Sequence, residues 1–267
     1  LVFQPAEENG GGGREMIKAG LMDEIPDACF ALHVENGIPG KIVVGSRYLT
    51  AYSDSYKITV HGKAAHSSTP EEGVDAVYIA ASIVTALHGI ISRNISPMDR
   101  ATLNVGMIHG GTAPNIIADE VTLGVMLRNL SKESREAMMK KIETISNGIA
   151  ESMGGSCDLA FRAGYAAVFN DEKFSAFVAD TFRKYEDSIH ADLGDGKPED
   201  WLITGEHPLL GAEDFGFYSQ KAPSCMIWVG VGGNSPKHSP GFCIDERYIK
   251  LCTRAMATTA LEYLTKE

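Results

Sequence analysis

The stretch Leu1-Val2-Phe3-Gln4-Pro5-Ala6-Glu7-Glu8-Asn9-Gly10-Gly11-Gly12-Gly13 governs the reading of the whole chain. Its three leading apolar residues read as a buried parallel strand, which Pro5 ends because it has no N–H to donate. Glu7 and Glu8 then fall at the strand's C-terminal end, where open α/β sheets gather ligands and catalytic groups. The four glycines allow a tight turn close to these carboxylates. Two adjacent like charges repel unless a cation sits between them or one takes a proton. One carboxylate as metal ligand with its neighbour as general base meets that demand. A solvated acidic pair ahead of a helix N-terminus meets it too.

Working outward, residues 14–22 read as a short helix. Residues 28–34 (Ala-Cys-Phe-Ala-Leu-His-Val) read as a second buried strand carrying His33 near its end, and residues 41–45 as a third. The stretch 45–47 reads as a linker. From Asp54 the pattern changes: Tyr56, Ile58 and Val60 alternate with Lys57, Thr59 and His61, the mark of a half-exposed antiparallel strand. A helix over 74–91, strands over 102–109 and 120–128, a helix opened by Ser131, and a strand over 157–164 complete a β-α-β-β-α-β order, that of a ferredoxin-like module. Asn170-Asp171 then caps a helix to about residue 185, and 187–206 is polar with no clear pattern. Residues 225–233 read as a buried strand, 234–242 as a loop carrying His238, and 248–264 as an amphipathic helix.

The expected fold is therefore α/β. A partial, mainly parallel catalytic sheet (residues 1–46 and 166–267) is interrupted by a ferredoxin-like α+β lid or dimerisation domain (47–165). Glu8, His33 and His238 each lie at or past the C-terminal end of an expected strand, so one sheet edge would collect them. Two histidines and a carboxylate are a catalytic zinc-type ligand set, and Glu7 beside them is placed to take a proton from water held by the metal.

The bulk numbers agree with a folded enzyme. The chain has 267 residues, 44% of them hydrophobic, and a net charge of −11. That acidity argues against nucleic acid or an anionic membrane as partner. No uninterrupted apolar run approaches the ~18–20 residues that span a bilayer. Five scattered cysteines without a CxxC pair read as reduced thiols, and the expected compartment is the cytoplasm. The chain begins within an expected core strand and without Met, so an N-terminal segment, where any leader would sit, is expected to be missing.

Six motifs occur in order: Gln4-Pro5-Ala6-Glu7-Glu8, Ala31-Leu32-His33-Val34, Gly62-Lys63-Ala64-Ala65-His66-Ser67, Gly110-Gly111-Thr112-Ala113-Pro114-Asn115-Ile116-Ile117, Gly211-Ala212-Glu213-Asp214-Phe215 and His238-Ser239-Pro240-Gly241-Phe242. Together the chain resembles the aminoacylase/carboxypeptidase family of dinuclear metallopeptidases, and within it the N-acyl-amino-acid amidohydrolases of the indole-acetyl-amino-acid and hippurate type. The resemblance implies Glu7 as general base and Glu8, His33 and His238 as metal ligands. It implies His66 and Asn115 as lid residues that polarise the scissile carbonyl or bind substrate, and Arg128 as a holder of the substrate carboxylate. It implies two divalent metals per complete site (zinc, manganese or nickel), an N-acyl amino acid or short peptide as substrate, and a homodimer formed through the lid. The family's Cys-Gly-His-Asp-Gly-His segment, which supplies further metal ligands, is absent from this chain. An exopeptidase or desuccinylase on the same scaffold, and a non-catalytic dimerising fragment without metal, are the competing readings.

Overall fold

A computed structural model describes residues 1–233 and 235–266; Asn234, at the start of the expected His238 loop, and Glu267 lie outside the described residues, as do the side chains of Asn9 and Asp195. The chain divides into two compact units: unit 1 is Leu1–Thr50, Ala167–Leu209 and Glu213–Glu267, and unit 2 is Ala51–Ala166 with Leu210–Ala212. The first leg of unit 1 holds helices α1 (Glu7–Gly10) and α2 (Gly12–Lys18) and strands β1 (Cys29–Glu35), β2 (Ile42–Gly45) and β3 (Arg47–Tyr48). Unit 2 follows with β4 (Tyr52–His61), β5 (Ala65–His66), α3 (Ala76–Asn94), β6 (Ala101–Gly110), β7 (Ile116–Ile117), β8 (Glu120–Asn129), α4 (Lys132–Ser152) and β9 (Ser156–Tyr165). The return leg supplies β10 (Phe169–Asn170), α5 (Glu172–Lys184), α6 (Glu186–Ile189), β11 (Leu202–Gly205), α7 (Gly216–Ser219), β12 (Ser224–Gly230) and α8 (Arg247–Thr265) to unit 1.

Unit 2 is an antiparallel sheet of order β6-β8-β4-β9. Strict alternation turns Tyr56, Ile58 and Val60 of β4 and Val121, Leu123, Val125 and Leu127 of β8 to one face, where they pack with Ile79, Ile83, Leu87 and Ile90 of α3 and Met138 and Ile142 of α4. Both helices start on side-chain caps: Asp75 Oδ1 accepts from Val77 N and Tyr78 N, and Ser131 Oγ accepts from Ser134 N. In contrast to the expectation from sequence, α3 is by length and composition apolar enough to cross a membrane. Its apolar face lies in this core.

In unit 1 the sheet order is β1-β12-β2-β11. It is mixed: β1 runs parallel to β12 and β2 to β11, but β12 and β2 pair antiparallel. Strand β12 is buried along its whole length, as its unbroken apolar run requires of a central strand. The strand β11 went unread in the sequence because only Leu202 and Ile203 mark it in a polar stretch. Where the chain leaves for unit 2 and returns, β3 pairs antiparallel with β10, and Leu49 N donates to Val168 O at 2.9 Å.

One expectation is overturned. Leu1-Val2-Phe3 is not a buried strand: the three residues form no strand, and Phe3 is 88% exposed. No strand pairs with them among the described residues, and β1 is an edge of the sheet. A parallel strand is stable only with a paired neighbour and both faces covered.

Candidate active site

Two turns in left-handed conformation shape the Glu7–Glu8 segment. Ala6 sits at φ 57°, ψ 39° and Gly11 at φ 67°, so the four-residue helix α1 is bracketed by sharp reversals. Ala6 is strained there, because a Cβ crowds the following carbonyl in that region. Behind α1, residue 12 must be glycine: a Cβ on it would meet the Pro5 carbonyl oxygen at 1.7 Å.

Glu7 does not stand alone with Glu8. Its carboxylate gathers with those of Glu213 and Asp214, ligand atoms within 4.8 Å of one another, and among the described residues this is the group that could hold a metal ion. Burial, then the neighbouring charges of Glu8 and Asp214, hold the Glu7 carboxyl above the usual carboxylate range. Burial pushes Glu213 up to about 7, with Glu7 and Asp214 adding to it. Asp214 is otherwise occupied: it accepts hydrogen bonds from Gln4 Nε2 at 2.8 Å on both oxygens and from Gly13 N at 2.9 Å. Sequence reading quoted Glu213 and Asp214 within a motif but gave them no role.

The three expected ligands are only partly assembled. His238, at φ 61°, brings Nδ1 to 3.1 Å from Glu8 Oε1, both side chains being exposed. Two donors on one tetrahedral zinc, each ~2.0–2.1 Å from it, lie roughly 3.3 Å apart, so this pair is spaced as co-ligands are. His33 is half-buried on β1, its ring edge-on to Trp228 at 5.3 Å. Its Nδ1 lies 2.6 Å from Val34 O. A carbonyl only accepts, so in the neutral ring Nδ1 carries the proton and Nε2 keeps its lone pair. Burial lowers the His33 pKa, with Lys237 and His238 adding to it and the bond to Val34 O and the charge of Glu35 opposing it. Metal-binding histidines are commonly fixed by such a bond from the second nitrogen. Glu8, His33 and His238 do not form a close triplet among the described residues. As a donor set they fit a divalent metal: one carboxylate and two imidazoles, one of them locked with a free lone pair.

In unit 2, the two-residue strands β5 and β7 pair, setting His66 opposite Ile116, and Ser67 N donates to Asn115 O at 3.0 Å. This ribbon thus sets Asn115 against Ser67, one position along from His66. His66 Nδ1 accepts from Ser68 N at 3.2 Å, so in the neutral ring Nε2 bears the hydrogen and is a donor. Arg128, near the end of β8, donates from Nη1 to Leu210 O at 3.2 Å, which takes part of its donor capacity.

A peptidase dimerisation domain matches residues 51–153. The chain is 32% identical over 275 residues to thermostable carboxypeptidase 2 of Saccharolobus solfataricus, spanning all of this chain and 66% of that protein. It is 31% identical over 259 residues to the N-acetyldiaminopimelate deacetylase of Lactococcus lactis subsp. cremoris, covering 96% of this chain and 65% of that one. The chain thus spans about two thirds of the length of these curated relatives. A solved structure from Bacillus subtilis, titled a dinuclear metal-binding peptidase of the M20 family, superposes with a TM-score of 0.77 at 25% identity, over 98% of this chain and 64% of that one. Along its length the chain is similar to such hydrolases and M20 peptidases, and residues 51–153 carry a peptidase dimerisation domain.

Proposed function

We propose that the chain carries the base and three metal ligands of an enzyme that hydrolyses the amide bond of N-acyl amino acids. The observation that carries this reading is the pairing of Glu8 with His238 at 3.1 Å next to Glu7, a carboxyl held above its usual range. Glu8, His33 and His238 would hold a divalent cation (zinc, manganese or nickel), one of two in a complete centre. Such a cation supplies Lewis acidity and brings the pKa of water to near ~7 in favourable cases. Glu7 takes the proton of the attacking water and delivers it to the leaving amine nitrogen; the upward shift of its pKa makes it a stronger base than an ordinary carboxylate. His66 donates from Nε2 to the developing oxyanion, Asn115 assists in binding substrate, and Arg128 holds the substrate carboxylate.

Two copies of the chain pair through unit 2, the region matched by the dimerisation domain. We place the chain in a reducing compartment such as the cytoplasm, a reading supported by five cysteines that are all free thiols.

The test is Glu7→Gln, assayed with acetyl-, benzoyl- and indole-acetyl-amino acids after loading with zinc or manganese. Turnover is expected to fall ~10²–10⁴-fold with the metal still bound; full activity in the variant removes Glu7 from the mechanism. A carboxypeptidase-type reading has its own support in the name of the Saccharolobus relative. Peptides cleaved in preference to acyl amino acids, in the same panel, would select it.

A further inference from the structure

The segment that presents Glu7 and Glu8 is held by no strand, and Ala6 within it occupies a strained left-handed conformation. Strain of that kind persists only where the surroundings over-determine it. What surrounds this segment is a polar cluster built on one carboxylate. Asp214 is 1% exposed. It accepts from the Gln4 side chain on both oxygens and from the Gly13 backbone on Oδ2. Gln4 in turn accepts at Oε1 from the hydroxyl of buried Tyr218, at 2.8 Å. Gln4 lies before the Ala6 turn and Gly13 after α1, so the excursion bearing both glutamates is tied at its base, entry and exit, to a single side chain. Gly13 allows the approach: a Cβ there would meet Gln4 Oε1 at 2.9 Å and the Asp214 carbonyl oxygen at 3.0 Å.

We propose that Asp214 is a positioning residue that, through Gln4 and Gly13, closes residues 4–13 into a fixed loop and so sets where Glu7 and Glu8 are presented. The part of this that concerns catalysis rests on the proposed roles of those two glutamates; the loop closure does not. The residue types are specific. Asp214 accepts from Gln4 on both oxygens and from Gly13 on Oδ2, while Gln4 supplies a donor to Asp214 and an acceptor to Tyr218.

The charge-swapped pair tests it on the full chain. Gln4→Glu sets a carboxylate against Asp214, and Gln4→Glu with Asp214→Asn restores one donor–acceptor pair with its polarity reversed. Hydrogen exchange of the peptide covering residues 4–13 is read against peptides of β4 and β8, with cobalt(II) titration of the same samples. Gln4→Glu is expected to speed exchange of that peptide by about tenfold without changing the unit 2 peptides, and the double variant to return it to the wild-type rate. Where the wild type binds cobalt(II), affinity drops by about tenfold in Gln4→Glu, and the visible band and affinity recover together in the double variant. Unchanged exchange in Gln4→Glu, or failure of the double variant to restore it, overturns the proposal. Should Gln4→Glu not fold, Tyr218→Phe removes one hydrogen bond without adding charge: faster exchange confined to residues 4–13 supports the loop closure, and none overturns it. A wild type that binds no cobalt(II) while the exchange pattern holds refutes the metal reading and leaves the closure standing.

Discussion

Unit 2 and the Glu7–Glu8 segment of unit 1 are organised on opposite terms. In unit 2, β4 and β8 turn alternate side chains onto α3 and α4, and the inward residues Ile58, Leu123 and Leu127 are completely buried. Its order comes from apolar area, which is non-directional and spread over many residues. The loop over residues 4–13, which follows Leu1 and Phe3 in solvent, is tied by a handful of directional bonds converging on Asp214. An apolar core tolerates modest repacking; a carboxylate accepting three donors does not tolerate losing its charge or its shape. The segment proposed to do chemistry is thus specified by few residues, and the interior of unit 2 by many.

The largest expected break of this contrast puts a polar dependence into unit 2. Asp54, 1% exposed at its side chain, takes a bidentate bond from Arg135 at 2.6 and 2.9 Å. Asp54→Ala leaves the guanidinium without its partner and should destabilise unit 2 by about 3–5 kcal/mol. Calorimetry should then resolve unit 2 melting before unit 1; a single unshifted transition would mean that the apolar core alone sets unit 2's stability. A smaller, matched pair sharpens the comparison. Ser131 caps α4 in unit 2 and Asp171 caps α5 in unit 1, accepting from Phe174 N at 2.8 Å. Ser131→Ala and Asp171→Ala should each cost about 1 kcal/mol by urea denaturation. Equal losses would locate the difference between the units in their interiors, not their helix ends.

The smallest expected effect is pH-dependent and belongs to unit 1. Burial lowers the pKa of His190, which packs edge-on to Trp201 at 4.5 Å. A histidine whose pKa is depressed on folding binds fewer protons folded than unfolded. Its share of stability is therefore complete above the ordinary value of ~6.5 and is lost as pH falls from there toward the folded value. Glu213, raised to about 7, runs the other way, losing stability as pH rises through its window. The readout is consequently the difference between wild type and His190→Leu in urea denaturation between pH 7.5 and 5.5. That difference should narrow as pH falls; a constant difference would mean that His190 contributes packing alone.

The α/β fold with its inserted ferredoxin-like module was legible because periodicity is a local signal. Val121, Leu123, Val125 and Leu127 declare a strand, and Asp75, Ser131 and Asp171 mark helix starts, without reference to anything distant. Leu1-Val2-Phe3 carries the same local signal, but strand formation depends on a neighbour that sequence does not show. The tie between Gln4 and Asp214 joins residues 210 positions apart, and neither residue type announces it. Glu213 stayed unread for the same reason: its pKa is raised by burial and then by Glu7 beside it, and only the fold sets either. The ribbon of β5 and β7, which carries His66 and is preceded by Asn115, is two residues per strand, too short for any period to appear.

The pairing of β3 with β10 has a genetic consequence. The chain departs from unit 1 after Thr50 and re-enters at Ala167, and the flanking segments are already zipped together across that gap. A host whose cut ends are neighbours pays little conformational entropy for whatever is spliced between them, since closure cost grows only slowly with the length of the insert. Residues 51–166, all of unit 2 except Leu210–Ala212, are therefore open to exchange or lengthening as a single insert while the interior of unit 1 stays as it is.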